Sequence, residues 1–93
     1  MVRNMKAVLT VVGRDMVGIL ADVSVECAAH NVNIEDVSQS VLQDLFCMIM
    51  LVDMKNCDMP LADFADFMAA KGKDKGLAIH VMHEDIFKAM HSI

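Results

Sequence analysis

Residues 13–23, GRDMVGILADV, join an apolar run to an amphipathic helical pattern. The run before this joint, residues 5–12, places β-branched side chains on both faces of a predicted strand. After the joint, polar residues recur every four positions over 17–30 beside an apolar stripe, which predicts a helix. A turn with two glycines between a strand and a helix either only connects the two elements or holds a ligand on its free backbone amides.

Two further strands follow the first helix. Residues 33–42 predict a strand with two mixed faces, in which Ile34 and Val37 point to opposite sides. The pair Gln43 and Asp44 forms a short turn into residues 45–54, so these two strands are antiparallel. Residues 45–54 are apolar on both faces, which predicts a strand that is buried on both sides.

The last third of the chain predicts a helix, a strand and a short terminal helix. Residues 61–71 have helical periodicity, with Asp58 as the expected N-cap, Pro60 in the first turn and Gly72 at the end. The strand and the terminal helix are expected at 77–83 and 84–93, respectively.

This order of elements predicts an α+β fold in one domain, residues 1–93. Two right-handed strand–helix–strand halves interleave into a ferredoxin-like βαββαβ sandwich: a four-stranded antiparallel sheet with two helices on one face, plus the short C-terminal helix. The first and third strands are then central. Because both are apolar on both faces, a second subunit or the terminal helix must cover the other side of the sheet.

Composition restricts the classes of function. The chain has 93 residues, of which 56% are hydrophobic, and its net charge is −5, which argues against a nucleic-acid-binding surface. The three cysteines, the absence of a signal peptide and the absence of an apolar stretch of about 18 residues favour a cytoplasmic protein that does not enter a membrane. A domain this small is expected to self-associate, most simply as a homodimer.

No residues form a catalytic or metal-binding pattern. His80 and His83 are three apart on a predicted strand, so they point to opposite faces and do not readily share a metal ion. The cysteines have no zinc-binding or redox spacing, and no nucleophile stands beside a base in a recognisable pattern. We therefore expect a protein that is not an enzyme and that uses no metal and no cofactor.

The segments VVGRDMVGIL, 11–20, and NVNIEDVSQ, 31–39, resemble the ACT domain family, and in particular its stand-alone single-domain proteins of bacteria and archaea. The resemblance implies a regulatory module that senses a small molecule, often an amino acid, at a subunit interface near the first strand–helix joint. By position, Asp15, Gly18 and Asn33 match ligand-facing places of the family. The chain differs from many members in having Val17 where proline is common and Gly13 where a polar side chain is common.

The strand–helix joint contains groups that would bind the carboxylate and the ammonium group of a free amino acid. A ligand carboxylate would lie on the first amides of the helix, where unpaired N–H groups and the helix dipole favour an anion. Asp15 would hold an ammonium group, Arg14 would add a charged contact, and Asn33 would both donate and accept hydrogen bonds. The predicted ligand-binding residues are Arg14, Asp15, Val17, Gly18, Ile19 and Asn33.

Two alternatives remain open from the sequence. At the joint, Asp15 merely caps the first helix and Gly18 merely allows close packing of the helix on the sheet. For the whole protein, the alternative is a subunit that binds a protein partner through its sheet and takes no small-molecule ligand.

Overall fold

The computed structural model describes residues 5–14 and 17–90, so Asp15 lies outside the described residues. Its elements, in chain order, are β1 (Lys6–Arg14), α1 (Ile19–Ala29), β2 (Asn33–Leu42), β3 (Leu45–Asp53), α2 (Leu61–Asp74), β4 (Ala78–His83) and α3 (Glu84–Met90). The four strands form one antiparallel sheet in the order β2-β3-β1-β4. The ferredoxin-like α+β fold and the central positions of β1 and β3 are confirmed.

The core lies between the sheet and the pair of helices α1 and α2. Alternate residues of β1 and β3 point into this layer, where they meet the apolar stripes of the two helices. The largest side chains with almost no exposure are Phe64, Leu9, Met48, Met50, Met68, Val11, Val52 and Cys27. The predicted stripe of α1 is confirmed, because Ile19, Val23 and Cys27 are its buried residues.

The other side of the sheet, which we call the open face, is only partly covered. Val8 is buried there although it lies outside the main core, since α3 packs against β1 and β4 on this side. Further along the strands, Val12, Leu45 and Ile49 remain 37%, 40% and 45% exposed. The prediction that β3 is buried on both sides is therefore wrong for a single chain, because α3 is too short to reach the far end of the sheet.

A β-bulge in β2 changes which residues share a face. Ile34 pairs with Val52 and Asp36 pairs with Leu51, so Glu35 is the additional residue. After this irregularity Ile34 and Val37 point to the same side and both pack on the core. Their predicted assignment to opposite faces is wrong because simple alternation assumes a regular strand.

The two ends of α2 also differ from the prediction. Pro60, in extended conformation, is the N-cap residue, and the Asp58 side chain binds His30 instead of capping the helix. The helix continues through Gly72 to Asp74, and the chain turns at Gly76, which has a φ of 74°. Gly72 is a packing residue: a Cβ there would lie 2.8 Å from the carbonyl oxygen of Leu77.

We expect Gly72→Ala to destabilise the protein by about 1–3 kcal/mol, because the added methyl group would overpack the contact with β4. In an unconstrained helix the same change stabilises by up to about 1 kcal/mol. The predicted change in the free energy of unfolding therefore has the opposite sign to the change that helix propensity alone would give. Urea unfolding at one fixed protein concentration measures the difference. The exposed Ala70→Gly serves as the propensity control, and a Gly72→Ala protein with a raised midpoint would contradict the packing role.

Candidate functional site

The joint between β1 and α1 carries the first group of candidate ligand-binding residues. Gly18 is the N-cap residue of α1, and its carbonyl accepts a 2.9 Å hydrogen bond from the amide of Asp22. The amides of Ile19, Leu20 and Ala21 precede that first bonded amide, so they have no partner within the helix. Three N–H groups at the positive end of a helix dipole are suited to a carboxylate.

Gly18 is required by its backbone conformation and not by packing. Its φ is 87°, a left-handed value that residues with a Cβ rarely adopt, and a Cβ built at this position would meet no atom within 4 Å. The glycine that does serve packing is Gly13, where a Cβ would collide with the side chain of Leu77. Gly18 therefore sets the backbone conformation at the point where α1 begins.

The other predicted residues of the joint differ in what they present to solvent. The side chains of Arg14 and Val17 are exposed, whereas the side chain of Ile19 is buried in the core and only its backbone is available. The Val17 side chain is fully exposed, one residue before the N-cap of α1. A single exposed apolar side chain is common on protein surfaces, so Val17 by itself does not mark an interface.

Asn33 lies at the opposite end of the subunit. Arg14 pairs with Leu45 at one end of β3, and Asn33 pairs with Asp53 at the other end. Leu45 and Asp53 are eight residues apart along β3, so Arg14 and Asn33 are separated by about 26 Å along the strand direction. Within one subunit, a molecule of amino-acid size cannot touch both Asn33 and the start of α1.

Asn33 lies in a cleft with two more carboxamides, which we call the asparagine cleft. Its lining consists of Ala28, Asn31, Val32, Asn33 and Asn56, and it spans about 590 Å³ with its open mouth included. The three asparagine side chains make no hydrogen bond to any residue in the described part of the chain. Each carboxamide therefore offers a donor and an acceptor to a molecule in the cleft.

Neither Asn31 nor Asn56 is among the ligand-binding residues predicted from the sequence. Asn31 has a φ of 60° just after the end of α1, a conformation that asparagine tolerates better than most residues. Asn56 follows β3 by three residues, and Asn33 pairs with the last residue of that strand. The antiparallel register alone would have brought Asn56 to the same end of the sheet as Asn33.

A histidine–aspartate contact holds the two sides of the asparagine cleft together. Nδ1 of His30 lies 3.0 Å and 3.2 Å from the two carboxylate oxygens of Asp58, and the Asp58 amide donates to the His30 carbonyl at 3.2 Å. The His30 ring also stands edge-on to Phe67, with 4.7 Å between centroids. Asn31 directly follows His30 and Asn56 lies two residues before Asp58, so these contacts hold the two backbone segments that carry the asparagines together.

The remaining polar and sulfur groups do not assemble a reactive centre. Among residues 5–14 and 17–90, no three His, Cys, Asp or Glu side chains are grouped so that they could hold a metal ion. Burial raises the pKa of the Cys27 thiol to about 11, which keeps it protonated and unreactive at neutral pH. No helix of the described residues is long and apolar enough to cross a membrane.

The acidic residues of α1 form ion pairs at the protein surface. Asp22 and Glu26 lie 3.0 Å and 3.5 Å from the ammonium groups of Lys75 and Lys71, respectively. These ion pairs link α1 to the C-terminal end of α2. They therefore belong to the scaffold that positions the start of α1.

Comparison with known proteins agrees with this fold. The family model for the ACT domain matches residues 6–82. A UPF0237 protein of Methanopyrus kandleri is 44% identical over 88 residues, which cover 95% of this chain and 98% of the relative. A UPF0237 protein of Listeria monocytogenes is 43% identical over 89 residues, with 96% and 100% coverage.

Solved structures extend the comparison. An ACT domain protein from Streptococcus pneumoniae has a TM-score of 0.80 and 35% identity, covering 96% of this chain and all of that one. A formyltetrahydrofolate deformylase from Pseudomonas putida has a TM-score of 0.71 at 15% identity and shares only the fold, over 28% of its own length. The extent and identity of the sequence matches settle the relationship: this chain belongs to the ACT domain family.

Proposed function

We propose that this protein is a non-catalytic, cytoplasmic regulatory module that binds a free amino acid between two copies of itself. One observation carries this proposal. The two groups of candidate ligand-binding residues lie at opposite ends of one subunit, about 26 Å apart along the strands. Only a second copy can bring the two groups together around one small molecule.

A two-fold axis beside β2 satisfies this requirement. Two copies of β2 that meet edge to edge around such an axis run antiparallel, so the Asn33 end of one copy lies beside the Leu42 end of the other. α1 contacts β2, and because it follows the Arg14 end of β1 its N-terminus lies at the Leu42 end of the sheet. The asparagine cleft of one subunit then faces the α1 start of its partner.

The edge of β2 is suited to pairing with a second chain. It is ten residues long, and no described strand pairs with its outer side. Its only charged residues are Glu35 and Asp36 near the start, and it contains no proline. Such an edge offers free backbone N–H and C=O groups to another strand.

The proposed site matches each group of a free amino acid. The carboxylate lies on the amides that begin α1 of one subunit, and Asp15 of that subunit holds the ammonium group. The side chain of the amino acid enters the partner's asparagine cleft, where Asn31, Asn33 and Asn56 favour an uncharged polar group. Arg14 and the exposed Val17 border the ligand.

Regulation follows from the division of the site between subunits. A ligand that touches both copies binds only the paired arrangement, so it increases the population of that arrangement. A protein partner that recognises the paired arrangement would then respond to the amino acid concentration without any chemical reaction on this chain.

A second candidate function is a protein-binding subunit that takes no small-molecule ligand. The exposed apolar side chains of the open face favour it: Val12, Leu42, Leu45 and Ile49 lie on adjacent strands, and Leu42 is 71% exposed. An apolar group of this kind is typical of an interaction surface.

Light scattering at micromolar concentration should give at least twice the 10.3 kDa mass of one chain. Two exposed positions distinguish the possible interfaces: Val41→Glu adds a charge at the β2 edge and Ile49→Glu adds one on the open face. Dissociation by the first variant alone is expected, because the added charge opposes the approach of a second acidic edge. A wild-type monomer would contradict the proposed function, and dissociation by Ile49→Glu alone would assign pairing to the open face.

Asp15→Ala and Asn33→Ala should weaken ligand binding and leave the free protein nearly as stable as the wild type. A thermal-shift screen of the twenty common amino acids supplies the ligand, since binding to the folded state raises Tm. Calorimetry should then give a loss of about 1.5–3 kcal/mol in binding free energy for each variant. Asp66→Ala, on the exposed side of α2, is the matched control.

The competing role of Asp15 predicts the opposite pattern. A helix cap contributes about 1 kcal/mol to stability, so its loss would lower the Tm of the free protein and leave affinity unchanged. If both variants bind as the wild type does, the proposed site is wrong.

A further inference from the structure

The tip of the hairpin between β2 and β3 contains a residue in an unfavourable backbone conformation. Gln43 has a φ of 58°, in a two-residue loop between the paired residues Leu42 and Leu45. A hairpin turn with a positive φ at its first loop residue ordinarily has glycine or asparagine there. Glutamine is therefore not the residue that the turn itself favours, which directs attention to its side chain.

A second left-handed residue lies in the asparagine cleft. Among residues 5–14 and 17–90, Asn31 and Gln43 are the two residues other than glycine that have a positive φ. Asn31 lies at the Asn33 end of β2 and lines the cleft, whereas Gln43 follows the opposite end of that strand. Residues in unfavourable backbone conformations are concentrated at functional sites, yet these two are at opposite ends of one subunit.

The side chain of Gln43 is available for binding. It is exposed and makes no hydrogen bond to any other described residue. Its carboxamide has an oxygen acceptor and two N–H donors, as do the carboxamides of the asparagine cleft. A hydrogen-bonding group of this kind can contact a second subunit or a ligand without breaking an interaction within its own subunit.

The pairing proposed for β2 brings Gln43 to the asparagine cleft of the partner subunit. When two copies of the strand Asn33–Leu42 pair antiparallel along their full length, Asn33 lies opposite the partner's Leu42. The same count, continued by one residue, places Gln43 opposite the partner's Val32, which lines the cleft. Paired strands are about 4.8 Å apart, a distance that a glutamine side chain spans.

We propose that Gln43 of one subunit closes the partner's asparagine cleft and binds the side chain of the amino acid held there. This inference rests on the proposed function, because the cleft and Gln43 meet only in the paired arrangement. Neither Gln43 nor the lining of the cleft has a charged side chain. The complete site therefore selects an amino acid whose side chain is uncharged and has a carboxamide or a hydroxyl group.

Isotope-filtered nuclear Overhauser spectra of the wild-type protein test the position of Gln43. Isotope-labelled and unlabelled chains are unfolded in urea, mixed and refolded, so that contacts between labelled and unlabelled protons arise only between subunits. We expect such contacts from the Gln43 side chain to the methyl groups of the partner's Val32. Contacts along β2 that leave out Gln43 would overturn this inference alone, whereas contacts across the open face, or a monomer, would contradict the proposed function as well.

Gln43→Gly separates a ligand contact from a role in the turn. Glycine adopts a φ of 58° without steric cost, so the Tm of the ligand-free variant should equal or exceed that of the wild type. The probe is L-glutamine, L-asparagine, L-serine or L-threonine, whichever raises the wild-type Tm most. Calorimetry should show that the variant binds this amino acid about fivefold more weakly. Asp66→Ala, on the exposed side of α2, should bind it as the wild type does.

The inference can fail while the proposed function stands. A Gln43→Gly protein with wild-type affinity would show that Gln43 makes no contact with the ligand. A lowered Tm of the ligand-free variant would instead assign Gln43 a role in the turn. If none of the four amino acids raises the wild-type Tm but another common amino acid does, the selectivity inferred for the complete site is wrong.

Discussion

The antiparallel pairing of β1 with β3 is the interaction on which the rest of this structure depends. It joins nine residue pairs, from Lys6 and Asp53 to Arg14 and Leu45. It makes these strands central, leaves β2 and β4 as edges, and buries alternate side chains under α1 and α2. Because β2 is antiparallel to β3, the same pairing places Asn33 and the start of α1 at opposite ends of the subunit.

This division has a functional consequence. A site complete within one subunit would bind ligand whether or not the protein pairs, and ligand would then have no differential effect on assembly. A site divided between two subunits couples occupancy to pairing by its geometry alone. In the proposed divided site, Gly18 sets the backbone conformation at the start of α1, and the His30–Asp58 contact joins the two sides of the asparagine cleft.

The sequence predicts the order of elements, the central strands and the stripe of α1, because these depend on local periodicity. The differences arise where tertiary packing overrides local preference. Gly72 has the propensity of a helix terminator, yet it lies inside α2. Glycine is needed there because β4 approaches too closely for a side chain. The bulge at Glu35 and the exposure of Ile49 depend on strand partners and on the length of α3. Asn56 joins Asn33 only through the register of β2 and β3.

Subunit complementation tests the divided site most directly. Asp15→Ala and Asn33→Ala proteins would be mixed in urea, refolded together and titrated by calorimetry with the amino acid that stabilises the wild type. A mixed dimer of a divided site contains one doubly altered site and one intact site, so the refolded mixture should recover about one quarter of the wild-type capacity at wild-type affinity. Each variant alone should show weakened binding at every site. Failure of the mixture to recover any wild-type sites, with mixed dimers demonstrated by mass spectrometry, would contradict a site shared between subunits.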